Sequence, residues 1–281
     1  MHISKAVITA AGPDQGNLPL QTLVDSNGKS RTALQLIVAE VVSAGIEEIC
    51  VVIRPGDGES YKQAAGEYAS RLQFVAQDNP RGYGDALLRA GDFVEDQPFL
   101  HLVSDHLYLS TTDRTCASQL VELAKREECA VSAVQATREN MLPFFGTVGG
   151  QRVTGTTDLY DVARVIEKPT PTVAEQELVV AGLRAGYYLC LFGMHVLTPA
   201  VMSILKEKLS AAQNGTKFQL ADALSELARR ERYLALQVAG ARHNIGVKYG
   251  LLRSQLALAL SGNDREEILS DLVEMLANTR G

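Results

Sequence analysis

Short apolar runs recur along the first half of the chain, and stretches with apolar residues three and four apart fall between them. Residues 3–9, 48–53, 72–75, 99–103 and 130–135 are runs rich in Val, Ile, Leu and Ala, which predicts buried strands. Residues 31–44 carry the helical period and stop at Gly45. A polar helix is predicted over 58–71, a short one over 83–91 and a third over 112–126. Strands alternating with helices predict an α/β fold with a mostly parallel sheet, helices on both faces and right-handed crossovers. Ligands then gather at the carboxyl ends of the strands, where residues 10–12, 77–84 and 104–106 fall.

After about residue 140 the pattern changes. Strand-like pieces at 145–149, 152–154, 163–166 and 185–192 are joined by turns, and helices are predicted at 199–209, 218–230, 246–260 and 265–277. No Gly/Ser-rich linker, repeat or low-complexity tract divides the chain. The expectation is one domain over 1–281: a nucleotide-binding half at 1–140, a second half at 141–245 and C-terminal helices at 246–281.

With 46% hydrophobic residues in 281, the chain can bury a substantial core. A net charge of −6 and no Lys/Arg run longer than two argue against general nucleic-acid binding, but leave room for a small anionic ligand. The most apolar region, 178–197, is broken by Arg184 and His195, so a membrane span is not expected. Cys50, Cys116, Cys129 and Cys190 form no C-x-x-C pair, and buried thiols are expected. Together with a start unlike a signal peptide, this suits the reducing cytoplasm.

Five segments could carry chemistry. KAVITAAG ends a strand in Ala10, Ala11 and Gly12, where backbone can lie against a ligand. The stretch behind it, 13–30, carries Lys29 as its one cation, unlike a usual triphosphate site. QDNPRGYGDA (77–86) runs from a strand into a helix: Gln77 could read a base edge and Gly82 permits close approach, or this is a simple loop. Asp105 in LVSDH stands where an Mg²⁺ ligand or a helix cap would stand, with His106 as its polar neighbour. Glu167 and Lys168 in VIEKP suit sugar hydroxyls and a phosphate, or a surface ion pair. Asn244 in RHNIG suits a helix N-cap, a metal, or both.

These pieces occur in the order seen in the sugar-1-phosphate nucleotidyltransferase family, which the chain resembles from about Lys5 to Leu260. It is most similar to the bacterial branch acting on UTP and glucose-1-phosphate. The landmarks are KAVITAAG, SAGIEEICVV, QDNPRGYGDALL, VSDH, FFGTV, VIEKP, GMHVLTP, KFQLADAL and HNIGVKYGLL. The resemblance implies a Rossmann-like sheet and Mg²⁺-dependent transfer of a nucleotidyl group, most simply UMP, to a sugar-1-phosphate. It implies that Ala10, Ala11 and Gly12 line the nucleoside and that Gln77 and Gly82 contact the base. Asp105 and Asn244 would hold the metal. Gly146, Glu167 and Gly193 would surround the sugar, and Lys168 would bind its phosphate. It also implies a homo-dimer or tetramer, with the C-terminal helices as contact surface.

The departures are specific. The family pattern after the first glycine is G-T-R and then P-K. Here the loop is shorter, no arginine follows Gly12, and Leu20 follows Pro19 where the lysine stands. Gln21 replaces a base-reading glutamate, and Asn244 replaces the second metal aspartate. Losing an arginine clamp on phosphoryl transfer can cost about 10³-fold in rate. An active enzyme therefore predicts another cation at the loop, with Lys29 and Arg31 as candidates. The alternative is an impaired relative that binds a sugar nucleotide or sugar phosphate.

Overall fold

Thirteen strands and ten α-helices form in the computed structural model, which describes residues 1–13, 16–211 and 219–278. Asp14 and Gln15 of the loop, and Phe218 at the expected start of a helix, lie outside the described residues. The first half runs β1 (Lys5–Thr9), β2 (Thr22–Val24), β3 (Ser30–Thr32), α1 (Ala33–Ser43), β4 (Glu48–Ile53), α2 (Gly58–Ala65), β5 (Leu72–Ala76), α3 (Tyr83–Leu88), α4 (Gly91–Val94), β6 (Phe99–Val103), β7 (His106–Ser110), α5 (Cys116–Glu127) and β8 (Ala130–Arg138). Then come β9 (Gly146–Arg152), β10 (Leu159–Glu167), α6 (Pro171–Glu177), β11 (Tyr187–Leu197), α7 (Pro199–Ala211), α8 (Leu220–Arg230), β12 (Tyr233–Gln237), β13 (Gly240–Asn244), α9 (Gly250–Leu260) and α10 (Arg265–Asn278).

One nine-stranded mixed sheet, ordered β5-β4-β1-β6-β11-β8-β12-β10-β9, spans both halves. β5, β4, β1 and β6 are parallel, as expected of continuous apolar runs buried on both faces. β11 is antiparallel to β6 and β8, and β9 and β10 form an antiparallel pair. β7 and β13 pair separately above the sheet. One face is covered by α1, α2 and α5, and the other by α3, α7 and α8, each with its own apolar core. In α1 the buried Leu34, Ile37, Val38 and Val41 recur at helical spacing, each worth about 1.5–3 kcal/mol. The four cysteines are buried free thiols. Among the described residues no helix is long and apolar enough to cross a membrane.

Several boundaries move for local reasons. The helix expected from residue 31 starts at Ala33, because Thr32 and Gln35 form a capping box and Arg31 belongs to β3. The helix expected from 112 starts at Cys116, because Thr115 accepts from Ser118 N at 3.2 Å. The helix expected from 246 starts at Gly250, because Tyr249 adopts φ 61° and a turn from Gly250 N to the Val247 carbonyl, 2.7 Å, precedes it. Asn244 is therefore not its N-cap: it ends β13, and its Oδ1 accepts from Gly246 N at 2.7 Å. The small elements β2, β3, β7, α6, β12 and β13 were not expected.

Candidate active site

β1 and β6 are neighbours, but the chain reaches β6 only after visiting β4 and β5 on the other side of β1. That reversal makes the carboxyl ends of β1 and β6 the crevice where ligands bind in such sheets. Ala10 N donates to the Val52 carbonyl at 2.7 Å, and Ser104 N to the Thr9 carbonyl at 3.2 Å. These bonds hold the buried Ala10 and Ala11, and the half-buried Gly12, beside Ser104-Asp105-His106.

Gln77 follows β5 and is anchored by its N–H to the Ile53 carbonyl at 2.9 Å. Gly82 sits at φ 109° and starts α3, a conformation L side chains avoid. Gln77 Nε2 donates to Asp85 Oδ2 at 2.6 Å and reaches the Gly82 carbonyl at 3.4 Å. The two expected base contacts are thus one hydrogen-bonded unit.

Asp105 is buried, and its Oδ1 lies 2.6 Å from His106 Nδ1. The β7–β13 pairing sets Asn244 opposite His106, and Ile245 N donates to the Asp105 carbonyl at 2.8 Å. A methyl placed on Gly246 would stand 3.2 Å from Asn244 Oδ1, 3.9 Å from Asp105 Cβ and 3.0 Å from Leu18 Cδ1. Glycine there keeps the space between the Asn244 oxygen and the Asp105 side chain clear, with Leu18 of the loop alongside. Among the described residues no group of three or more His, Cys, Asp and Glu could hold a metal. One carboxylate and one amide oxygen instead fit a hard cation that arrives largely on phosphate oxygens.

The second half brings its own cluster to the same edge. β9–β10 register sets Gly146 opposite Glu167, and a methyl on Gly146 would stand 3.1 Å from Glu167 Oε2. β11 bulges between Leu191 and His195, with Gly193 at φ 82°. A side chain there would meet Val103 Cγ2 at 2.6 Å, and Tyr108 Oη donates to the Gly193 carbonyl at 2.8 Å. The rings of Phe145 and His106 lie 6.2 Å apart and join the two clusters. Burial raises the Glu167 pKa; adjacent Lys168 opposes this, and Asp222 adds to it. Lys168 is exposed and adopts φ 45°, its N–H bonded to the Phe145 carbonyl at 3.2 Å. Holding a non-glycine residue there costs about 1–3 kcal/mol, a strain typical of functional sites.

The altered loop has a definite structure where it is described. Leu20 is half-buried against the core, and Gln21 Nε2 donates to the Asn17 carbonyl at 3.1 Å. Arg31 is paired with Glu67 and Asp25, and Lys29 lies on the β2–β3 turn, where its N–H donates to Asp25 Oδ1 at 2.9 Å. The cation on the loop is instead Arg54, at the end of β4. Its guanidinium covers Gly16, its Nη1 reaches the Pro13 carbonyl at 3.5 Å, and its Nε donates to Asp57 at 2.8 Å. Tyr61 Oη also donates to the Gly16 carbonyl at 2.9 Å.

Sequence reasoning missed Arg54, Tyr83, Asp85 and Arg242. Arg54 had a signal: a cation ending a strand beside the one that opens the loop. Tyr83 is half-buried, its pKa raised by burial, then by the Asp105 and Glu167 carboxylates, so it senses both clusters. Arg242 lies 3.9 Å above the Phe145 ring, with burial lowering its pKa to about 10.

A mixed sheet with a nucleotide-type crevice at its switch point, and an acid–lysine cluster on the same edge, defines a nucleotidyltransferase-type protein. The chain belongs to the nucleotidyl transferase family, whose model matches residues 21–244. It is 28% identical over 294 aligned positions to the UTP–glucose-1-phosphate uridylyltransferase of Streptococcus pneumoniae, covering 92% of this chain and 91% of that one. A relative of the same name from Streptococcus pyogenes is also 28% identical, covering 96% and 93%. The fold matches a UDP-glucose pyrophosphorylase complexed with UDP-glucose at a TM-score of 0.72 and 22% identity, covering 91% of this chain and 98% of that one. UTP-bound UGPase from Acinetobacter baumannii matches at 0.72 and 21%, covering 97% and 99%.

Proposed function

We propose that the protein transfers UMP from UTP to glucose-1-phosphate, releasing pyrophosphate and forming UDP-glucose. The observation that carries this is the convergence of two clusters on one sheet edge, at 10–12 with Asp105 and at Gly146 with Glu167 and Lys168. The shared name of relatives matched over nearly their whole length supports the substrates.

In this reading Ala10, Ala11 and Gly12 line the nucleoside, and Gln77 with Gly82 contacts the base. Gly146, Glu167 and Gly193 surround the sugar. Glu167, whose charged form Lys168 favours against the effect of burial, accepts hydroxyl hydrogen bonds. Lys168 holds the phosphate as a point charge. A sugar-phosphate oxygen attacks the α-phosphorus in line as the bond to the bridging oxygen breaks and pyrophosphate departs. No covalent enzyme intermediate forms, so positioning and charge stabilisation supply the rate. Arg54 provides positive charge at the shortened loop. Asp105 and Asn244 would hold Mg²⁺, which would supply charge neutralisation on the phosphate oxygens. The exposed Leu252 and Val273 on α9 and α10 support a homo-oligomer through the C-terminal helices.

The test is pyrophosphate release from protein, Mg²⁺, each of the four NTPs and glucose-1-phosphate or other sugar phosphates. Release with UTP and glucose-1-phosphate is expected. Binding of UDP-glucose without release from any pairing would instead mark an impaired relative.

A further inference from the structure

Asp85 is a carboxylate with no exposed surface on the first turn of α3, and phosphoryl transfer gives it no task. Its Oδ1 accepts from Arg89 Nη2 at 2.8 Å. Its Oδ2 accepts from Gln77 Nε2 at 2.6 Å and from Arg81 N at 3.4 Å. A primary amide can present either end, since its oxygen and nitrogen are nearly alike in shape. An ionised carboxylate removes that choice, because it only accepts. Gln77 must therefore turn its nitrogen inward. With the Gly82 carbonyl at 3.4 Å as second acceptor, both amide protons have internal partners. Among the described residues no hydrogen bond engages Gln77 Oε1, the oxygen left over.

We infer that Asp85 is a specificity-determining positioning residue. It locks Gln77 as a pure acceptor, so the pocket takes a pyrimidine whose N3 carries a hydrogen and rejects cytosine. Uracil and thymine offer that N3–H, whereas N3 of neutral cytosine is itself an acceptor and would face the Gln77 oxygen. This rests on Gln77 meeting the base, as in the proposed function.

The substitution Asp85→Asn reverses the logic. Arg89 can only donate, so the new amide turns its oxygen to Arg89 and its nitrogen to Gln77, giving up the long 3.4 Å contact from Arg81 N. Gln77 then flips, giving up its 3.4 Å contact to the Gly82 carbonyl, and offers N–H outward, which suits cytosine N3.

The experiment uses the full chain with Mg²⁺ and glucose-1-phosphate, and UTP, dTTP and CTP in competition, so that the fraction of folded protein cancels. The unsubstituted protein is expected to prefer UTP over CTP by about 100-fold in kcat/KM, the scale of leaving a site's hydrogen-bonding group unpaired. Asp85→Asn is expected to lower that ratio at least tenfold, with CTP use rising in absolute terms. A merely structural lesion cannot produce that gain. dTTP should follow UTP in its response to the variant, and dTTP following CTP overturns the lock. A ratio unchanged within threefold, with both activities lower, also overturns it. Should Asp85→Asn not fold, Asp85→Ala removes the acceptor and frees Gln77 to present either end, and is expected to lower the ratio more than threefold. If no NTP is turned over, the proposed function fails, and the lock is read instead from calorimetric titration with UMP and CMP on protein and variant. Equal affinity for the two in the unsubstituted protein, or binding of neither, overturns the inference.

Discussion

Lys168 holds its charge on a backbone conformation that L residues avoid, so stability and function pull apart at this position. Lys168→Gly is expected to raise stability by about 0.5–1 kcal/mol by relieving φ 45°, and to lower kcat/KM for glucose-1-phosphate by about 100-fold. Thermal melts and steady-state kinetics on one preparation check both signs. An unchanged kcat/KM would remove Lys168 from the phosphate site. Asn244 offers a second test at this scale. Replacing its amide by a carboxylate restores one charge to the space beside Gly246, so Asn244→Asp should tighten Mg²⁺ about tenfold in a metal titration. Asp105, Glu167 and Lys168 stand out in the sequence because each closes an apolar strand-like run, and the structure sets each of them just past or at the end of a strand. Residues whose role depends on a distant partner were not legible. Asp85 carries no signal of its own in the sequence, because its part is played through the contact with Gln77. A cation near the loop was expected at Lys29 or Arg31, close in sequence, whereas the one that touches it is Arg54, brought in by the β1–β4 pairing.

Elements were legible in proportion to how local their cause is. β4 and β6 match their apolar runs end to end, and α1 differs only by the capping box at Thr32. The pair β7–β13 stayed hidden because it joins segments more than a hundred residues apart, each short and half polar. A separation of more than seventy residues likewise hid the end of α1 clasping α5. Glu40 Oε1 accepts from Ala117 N at 2.7 Å, and Ser43 Oγ lies 2.6 Å from Thr115 Oγ1. Burial raises the Glu40 pKa to about 7, against the pull of the Ala117 and Cys116 N–H groups. A carboxyl whose folded pKa is raised adds stability below its unfolded pKa and loses it as pH rises through the folded value. Glu40→Gln should therefore match the unsubstituted protein near pH 4 and exceed it by about 1–3 kcal/mol at pH 8. Urea titrations at the two pH values check this, and a gain confined to pH 4 would reverse the assignment.

At the scale of the whole molecule, a belt of polar residues crosses the sheet through both halves. Thr9 Oγ1 lies 3.2 Å from His101 Nε2, His101 stacks on His195 with ring centres 5.6 Å apart, and His195 Nδ1 lies 2.5 Å from Ser132 Oγ, which bonds Tyr233. Burial lowers the His195 pKa to about 3 and that of His101 well below its usual value. Their neutral forms give stability that is full above about pH 6.5 and lost as pH falls toward the folded values. His195→Asn should flatten the pH slope of stability between pH 6 and 4 by about 1.4 kcal/mol per unit, read from urea titrations. The sequence revealed the parallel half of the sheet through its uninterrupted apolar strands. The mixed half, with β12 inserted parallel to β8 and antiparallel to β10, depends on pairings that no local pattern encodes. Phosphorus NMR of protein, Mg²⁺, UTP and glucose-1-phosphate tests most directly whether this sheet edge transfers a nucleotide despite its shortened loop. UDP-glucose and pyrophosphate should appear in equal amounts, and UTP should re-form when those two products are supplied instead. UTP and glucose-1-phosphate left unchanged, while UDP-glucose binds the same protein, would contradict that transfer.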